Sequence, residues 1–543
     1  MAQTTPNTTS LQADYIVVGA GPAGSALATR LAEGDPAAQV LLIEAGPAKP
    51  SFLSVMPAGL ALLVPSRNRH NYAYQTVPQA GLGGRTGYVP RGRGLGGSSL
   101  INAMIYVRGQ REDYDGWAAL GCPGWGWSDV LPFFRRSEAN QRPGGLDEAL
   151  HGRQGPLVVS DLASPSPVSQ AFVAAAQACG LPANADFNGA RQEGVGLYQV
   201  FQQGGRRLDA SRAYRGRAPQ PNLQVLAEVR VNRVCFEGRR ATGVEVADRD
   251  GVRVLTARRE VILSAGAIAS PQLLCLSGIG PADELARLGI PLVADAPQVG
   301  QNLQDHLDYS LNLRLNGPGL FGWGPRGTLR SLAALPAFRQ GRGFLTTNGA
   351  EAGGFVRSSP QLERPDLQLH FCVSNVDDHG RRKHLATGVA LHVCALRPHS
   401  RGSVRLASAN PADMPLIDPA FLSHPDDLPL LIQGVRLARR ILRSPPFAGL
   451  GGRPIYGTLD DESDDALAAL IRAQSDTIYH PVGTCRMGTD PASVLDPALR
   501  VRGVSGLRVA DASIMPTLVS GNTQAPSAMI GERAADLILK GRA

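Results

Sequence analysis

The apolar and polar positions of the chain fall into short buried runs separated by turns. Residues 14–18 read Asp-Tyr-Ile-Val-Val, a run that predicts a strand covered on both faces. Residues 24–31 follow helical spacing, and the apolar run at 40–44 predicts a second buried strand. Strand, tight turn, helix and strand make a βαβ unit, the opening of a doubly wound sheet. Runs at 223–226 and 229–236 predict a further strand pair, and 260–264 a third short buried run.

Elsewhere the texture changes. Residues 165–220 carry one predicted helix, at 169–179, and loops; alternating runs at 367–372, 389–396 and 403–406 predict an antiparallel sheet. The expected fold class is an α/β, Rossmann-like, doubly wound nucleotide-binding domain interleaved with an α+β substrate domain. The first domain is expected at 11–165, 223–310 and 471–543, the second at 166–222 and 311–470. The Gly-rich stretch 317–330, with Phe321 and Trp323, is expected as a loop over a pocket.

With 543 residues, 43% of them hydrophobic and 18% charged, the chain has room for two domains and is not disordered. A net charge of +8 raises nucleic acid or an anionic membrane as partners. Only Lys49, Lys383 and Lys540 are lysines; the arginines are scattered, in short pairs such as Arg206-Arg207 and Arg381-Arg382. Without a basic tail, nucleic acid is not expected, while weak contact with an anionic membrane surface stays open. Seven spread cysteines without a CxxC pair argue for a reducing compartment. Residues 1–12 lack an apolar h-region and no run of roughly 18 apolar residues occurs, so a cytoplasmic protein is expected, with peripheral contact at the inner membrane left open.

Gly19-Ala20-Gly21-Pro22-Ala23-Gly24 sits between the first strand and its helix. Gly19, Gly21 and Gly24 permit a tight turn and bring backbone close to a pyrophosphate at a helix N-terminus. Glu44 follows at the end of the next strand, where its carboxylate can accept ribose hydroxyls. NAD and FAD both satisfy this pattern.

Three further stretches narrow the choice. Gly92-Arg93-Gly94-Leu95-Gly96-Gly97-Ser98-Ser99-Leu100-Ile101-Asn102 resembles the first signature of the glucose–methanol–choline (GMC) oxidoreductases. Gly266-Ala267-Ile268-Ala269-Ser270-Pro271, running on to Gly280, resembles the second, and His480-Pro481-Val482-Gly483-Thr484-Cys485 with residues 509–532 resembles the catalytic end. The resemblance implies FAD rather than NAD. It implies cofactor contacts from Arg93, Gly96, Gly97, Ser99, Asn102, Val231, Asp511, Ala512 and Thr523, besides the fingerprint residues.

Read as chemistry, the 92–99 loop offers backbone N–H groups and hydroxyls for phosphates or a ring edge, or is a solvent loop. Thr523-Gln524-Ala525-Pro526 leads into a predicted helix at 527–539, with Pro526 in its first turn and Gly541 at its end. Its N-terminus either favours a nearby anion or is simply a well-capped end. Asp511 is a cofactor ligand or a helix cap.

Alcohol oxidation needs a base working near neutral pH, and histidine is the natural choice. Of ten histidines, His480 matches the family's base, with Asn522 as its expected partner. Asparagine can donate to a developing alkoxide but cannot deprotonate it; as a turn residue Asn522 has another reading. His306 is either at the edge of the site or a buried, hydrogen-bonded histidine. No metal is expected, because no second Cys/His pair follows at zinc spacing.

Where some relatives attach FAD through a histidine, this chain has Ile101, which implies non-covalent FAD. Choline-oxidising relatives hold their cation with a carboxylate just past an Asp-His pair; Asp308 stands there, as a cation ligand or a capping residue. The stretches 377–380, 397–402 and 476–480 look most like the family's bacterial aliphatic alcohol dehydrogenases. The expected activity is oxidation of a primary aliphatic alcohol, a small molecule, to its aldehyde. The hydride goes to flavin N5, the proton to His480 and the electrons to a quinone-type acceptor. The alternatives are an oxygen-using alcohol or choline oxidase and a hydroxynitrile lyase on the same fold.

Overall fold

The computed structural model of the protein describes residues 11–541 except 217, 218, 318, 461 and 462. The opening unit is strand Gln12–Val18, helix Pro22–Gly34 and strand Val40–Glu44. The helix starts earlier than its apolar spacing suggests because Pro22 sits in the first turn, where its missing N–H costs nothing. The two strands pair in parallel, Tyr15 beside Val40 through Val18 beside Ile43. Every residue of Val40–Glu44 is buried, and each buried aliphatic side chain contributes about 1.5–3 kcal/mol.

The same first strand pairs in parallel with the end of strand Gly251–Leu263. The predicted run at 260–264 is thus the tail of a longer strand. Its first half pairs antiparallel with Arg240–Asp248, which in turn pairs with Arg230–Glu237. Leu507–Val509 adds to it in parallel. The expected pairing of 223–226 with 229–236 is corrected. Leu223–Ala227 lies beside Val40–Glu44 at one edge of the sheet, and Arg230–Glu237 stands at the other. Glu228 between them takes φ +62. Its N–H and that of Val229 donate to the carbonyls of Gly46 and Glu44 at 2.9 and 3.1 Å. The chain therefore passes over the strand end instead of folding back.

A second sheet is antiparallel, in the order Arg453–Pro454, Leu307–Arg314, Gly388–Ala395, Leu367–Cys372, Ala350–Val356 and Gly194–Leu197, with Asp476–Thr477 on the second of these. Leu307–Arg314 crosses the expected 310/311 junction, and Asp476–Thr477 comes from a segment assigned to the other domain. The run at 403–406 does not join this sheet: Ser403–Arg405 pairs with Leu416–Asp418 in a separate two-stranded sheet.

Strict alternation sorts its side chains. Leu307, Tyr309, Leu311, Leu369, Phe371, Leu391 and Val393 enter one apolar core with Leu431, Val435 and Ala438 of helix Asp427–Arg443. The opposite face carries Asp308, Ser310, His370, Cys372 and His392 into a cavity. Register sets His392 abreast of both Ser310 and His370.

The C-terminal helix, Gln524–Lys540, begins three residues before the predicted start, so Pro526 is its third residue. No intrahelical bond is lost there, because the first N–H groups of a helix have no partner within it. Gly531 lets it lie on the first helix: a Cβ there would sit 2.2 Å from the Ala23 carbonyl oxygen. Beside it the fully buried Glu532 accepts from Arg30, Arg136 and Tyr214 at 2.9, 2.6 and 2.9 Å. Two cations and a phenol hold one carboxylate, and the helix start is thereby aimed at the cavity.

Candidate active site

The cavity, about 1230 Å³, runs from the Gly19 turn of the first sheet to the polar face of the second. Drug-sized ligands occupy sites of roughly 300–1,000 Å³, so this one has room for a dinucleotide and a substrate together.

At the dinucleotide end the glycines divide their work. Gly19, at φ +103, and Gly24 make the turn: a Cβ on Gly24 would lie 1.9 Å from the Gly19 carbonyl oxygen. A Cβ on Gly21 would meet nothing within 4 Å and would project into the cavity beside the helix start, which no side chain caps. Backbone donors therefore face open space, the geometry that suits a pyrophosphate. The Glu44 carboxylate accepts N–H groups from Ala20, Gly46 and Gly94 at 3.0, 2.8 and 3.0 Å. Burial raises its pKa, and the three donors oppose that rise.

The second Gly-rich loop docks on the first. Gly96 N–H donates to the Ala20 carbonyl at 2.8 Å, and a Cβ on Gly97 would lie 2.8 Å from the Gly21 Cα. Gly24 and Gly96 do not line the cavity; they hold the loops that do. Gly19, Gly21, Glu44, Arg93, Gly97, Asn102, Val231, Asp511, Ala512 and Thr523 line it. Ser99 also lines it, but its hydroxyl donates to the Gly96 carbonyl and accepts from Ala210 N–H at 3.0 Å. Arg93 reaches the Ala45 carbonyl at 3.1 Å.

Asp511 is a cap, and it lines the cavity. It caps the turn at Ala512–Ile514 through Ser513 N–H, at 2.8 Å. Its other oxygen accepts Gly266 N–H and the Ser270 hydroxyl at 2.9 and 2.6 Å, so it also fixes the second signature stretch.

Arg207 is half of an arginine pair in the sequence. It is fully buried, and burial lowers its pKa to about 9. It donates to the Ser99 carbonyl at 3.1 Å and to Asn102 Oδ1 at 2.9 Å. Asn102 in turn donates to Gln524, at the start of the C-terminal helix. No local pattern marks such a residue, since its partners lie more than 100 positions away.

At the second-sheet end, Asp305 accepts the His480 backbone N–H at 2.8 Å and the Thr477 hydroxyl at 2.5 Å. Burial pushes the pKa of Asp305 up to about 7. Arg91 holds the Tyr479 carbonyl at 2.7 Å. Together these fix the loop that carries His480.

His480 Nδ1 lies 2.9 Å from His306 Nδ1, and His306 Nε2 lies 3.0 Å from the Leu396 carbonyl oxygen. A carbonyl only accepts, so His306 carries its proton on Nε2. Burial lowers the His306 pKa to about 4, which leaves Nδ1 bare at neutral pH. His480 must then carry a proton on Nδ1, leaving its Nε2 as an acceptor. Burial first, then His306, His370 and Arg91, holds the His480 pKa well below its ordinary value. Asn522 Nδ2 donates to that Nε2 at 3.2 Å, and Asn522 Oδ1 accepts from Gln368 at 3.1 Å. His306 is thus a buried, hydrogen-bonded histidine that stands behind His480 without lining the cavity.

Asp308 is neither a free carboxylate nor a cap. Its Oδ2 lies 2.6 Å from His392 Nδ1, and both residues line the cavity. The His392 pKa lies well above its ordinary value: burial opposes the charge, and the Asp308 carboxylate outweighs it. Beside them, buried His370 also lines the cavity.

Comparison with known proteins bears on the fold that carries this site. The chain matches the family models for GMC oxidoreductase over residues 13–308 and 398–531. It is 48% identical to an alcohol dehydrogenase [acceptor] of Pseudomonas putida, covering 97% of this chain and 96% of that one. It is 43% identical to human mitochondrial choline dehydrogenase, over 96% and 89% of the two chains. A structure of Aspergillus oryzae formate oxidase, a variant studied for its FAD modification, superposes with a TM-score of 0.89 at 27% identity, covering 98% and 99%.

Proposed function

From the premise that this chain belongs to the GMC oxidoreductases, we propose that it oxidises a primary, uncharged alcohol to the aldehyde and passes the electrons to a quinone-type acceptor. The cofactor is FAD. Gly21 and Gly97, the uncapped helix start at Pro22 and the Glu44 carboxylate fit its phosphates and ribose. Ile101 offers no nucleophile, which supports a non-covalent cofactor. Bound FAD supplies the acceptor for the hydride that leaves the alcohol carbon.

The observation that carries the proposal is the unprotonated Nε2 of His480 facing the cavity beside Asn522. There His480 takes the hydroxyl proton, and Asn522 donates to the oxygen as negative charge develops on it. His306 accepts from His480 Nδ1 and keeps that tautomer. The start of the C-terminal helix, with no side-chain cap, presents partial positive charge to the cavity.

The preference for an uncharged alcohol rests on Asp308. A carboxylate alone would attract a quaternary ammonium, but His392 already neutralises this one.

The test is anaerobic addition of medium-chain primary alcohols to the FAD-loaded protein. Bleaching of the flavin band, reversed by a quinone analogue faster than by oxygen, is the expected result. Absence of bleaching with any alcohol would sink the redox reading and leave the lyase one. Re-oxidation by oxygen alone would make the protein an oxidase.

A further inference from the structure

Between Asp308 and Glu351 the chain has no acidic residue and five arginines: Arg314, Arg326, Arg330, Arg339 and Arg342. Part of this stretch reaches the rim of the cavity, which Phe321 and Trp323 line. The loop expected there includes helix Pro325–Ala333, none of whose described side chains is buried. Leu329 and Leu332, one helical turn apart, are 70% and 58% exposed. Leu385, 84% exposed, adjoins the start of the helix, its Cδ2 3.6 Å from where a Cβ on Gly324 would stand. Phe52, 60% exposed, extends the patch through edge-on contact with Phe338, ring centroids 6.0 Å apart.

Cations surround these side chains. Arg330 lies over the Phe344 ring at 5.2 Å, Arg206 over Phe338 at 5.8 Å and Lys383 over Trp323 at 4.3 Å. The acids at this rim are engaged elsewhere: Asp377 accepts from Tyr456 and His384 at 2.6 and 2.8 Å, and Asp378 pairs with Arg381 at 2.6 Å. The surface is thus apolar at its centre and positive around it.

We propose that this face, formed by helix Pro325–Ala333, Leu385 and Phe52, seats the protein on an anionic lipid bilayer with the cavity rim turned toward the membrane. Leucines entering the acyl boundary and arginines meeting lipid phosphates together match both properties of the patch. A two-fold contact between copies would bring the acid-free segment against itself, arginine facing arginine. Nucleic acid would satisfy the cations and leave the leucines in water. No helix of the described residues is long and apolar enough to cross a membrane, so the contact is peripheral. The proposal does not depend on which substrate or acceptor the site uses.

The test is co-sedimentation of the FAD-loaded full chain with vesicles of phosphatidylcholine alone, or of phosphatidylcholine containing phosphatidylglycerol. Sedimentation with the anionic vesicles only, weakening as salt rises, is expected. Replacing Leu329 and Leu332 together by Glu should weaken binding by on the order of tenfold or more. Arg330→Gln should weaken it about fivefold. These side chains lie outside the cavity, so flavin absorbance should not change. No binding to anionic vesicles at low salt, or equal binding by the double variant, overturns the proposal. So does a concentration-dependent dimer, seen by light scattering and abolished by the same double variant, which would give the face to a second copy.

Discussion

His480 and His306 meet Nδ1 to Nδ1 at 2.9 Å, and the Leu396 carbonyl behind His306 decides which ring owns the proton between them. The carbonyl accepts from His306 Nε2–H, the bare Nδ1 of His306 accepts from His480 Nδ1–H, and His480 Nε2 is left unprotonated. Replacing His306 by Phe should therefore slow anaerobic flavin reduction by on the order of tenfold to a hundredfold, with FAD still bound. His306→Asn, whose side-chain oxygen can still accept, should recover part of that rate. Equal rates in the two variants would make His306 a packing residue only, and stopped-flow absorbance across pH separates the cases.

Because His480 is held well below its ordinary pKa, the base is unprotonated at neutral pH. The acid limb of flavin reduction should fall below pH ~6.5, the value for an unperturbed histidine. An acid limb centred above neutrality would contradict the burial of this ring.

Asn522→Ala removes a donor to the substrate oxygen while leaving the base in place. Flavin reduction is expected to slow by on the order of 10²–10³ at saturating alcohol, as when a single oxyanion donor is removed. If only the half-saturating alcohol concentration rises, Asn522 contributes to binding and not to the charge that develops during reaction.

The Asp308–His392 pair makes a prediction about selectivity and another about stability. His392→Leu leaves a buried carboxylate unpaired, which costs about 3–5 kcal/mol and should lower the melting temperature. It should also raise turnover of choline relative to hexanol, since Asp308 is then free to meet a cation. In the double variant with Asp308→Asn both effects should disappear.

Two glycines separate folding from cofactor binding. Gly24→Ala puts a Cβ 1.9 Å from the Gly19 carbonyl oxygen and should destabilise the whole fold. Gly21→Ala points its Cβ into the open cavity, and its φ of −70 suits any residue. That variant should fold normally but load less FAD, as flavin absorbance per chain would show.

The buried imidazoles also set an acid limit on stability. The pKa of His306 is lowered to about 4 and that of His370 to about 3, both chiefly by burial. Below pH ~6.5 the unfolded chain binds protons that the folded rings refuse, so stability falls as pH drops from there toward 4. His306 alone would account for roughly 3 kcal/mol of this loss. Urea midpoints at pH 7 and 4.5 measure it, and His306→Phe should flatten the difference.

What the sequence alone determined was chemistry carried by contiguous residues. The Gly19–Gly24 turn, the acid at Glu44 and the second Gly-rich loop are legible because a turn or loop of a given shape needs particular neighbours in the chain, while the His480 and Asn522 positions are legible through the motifs that resemble the GMC oxidoreductases. Period-two alternation at 367–372 and 389–396 likewise revealed strands, each with one polar face. It could not say which strands stand abreast. Only the tertiary structure sent Leu223–Ala227 and Arg230–Glu237 to opposite edges of one sheet, set Asp308 against His392 and brought Leu396 behind His306. Tertiary contacts also placed Arg207 under the Asn102 loop. These relationships join residues tens to hundreds of positions apart, and each depends on register and burial. A hydrogen-bond acceptor or a neutralising charge leaves no mark on the local pattern of the residue it serves, so the tautomer of His480 and the pairing of the Asp308 carboxylate with His392 were decided by folding.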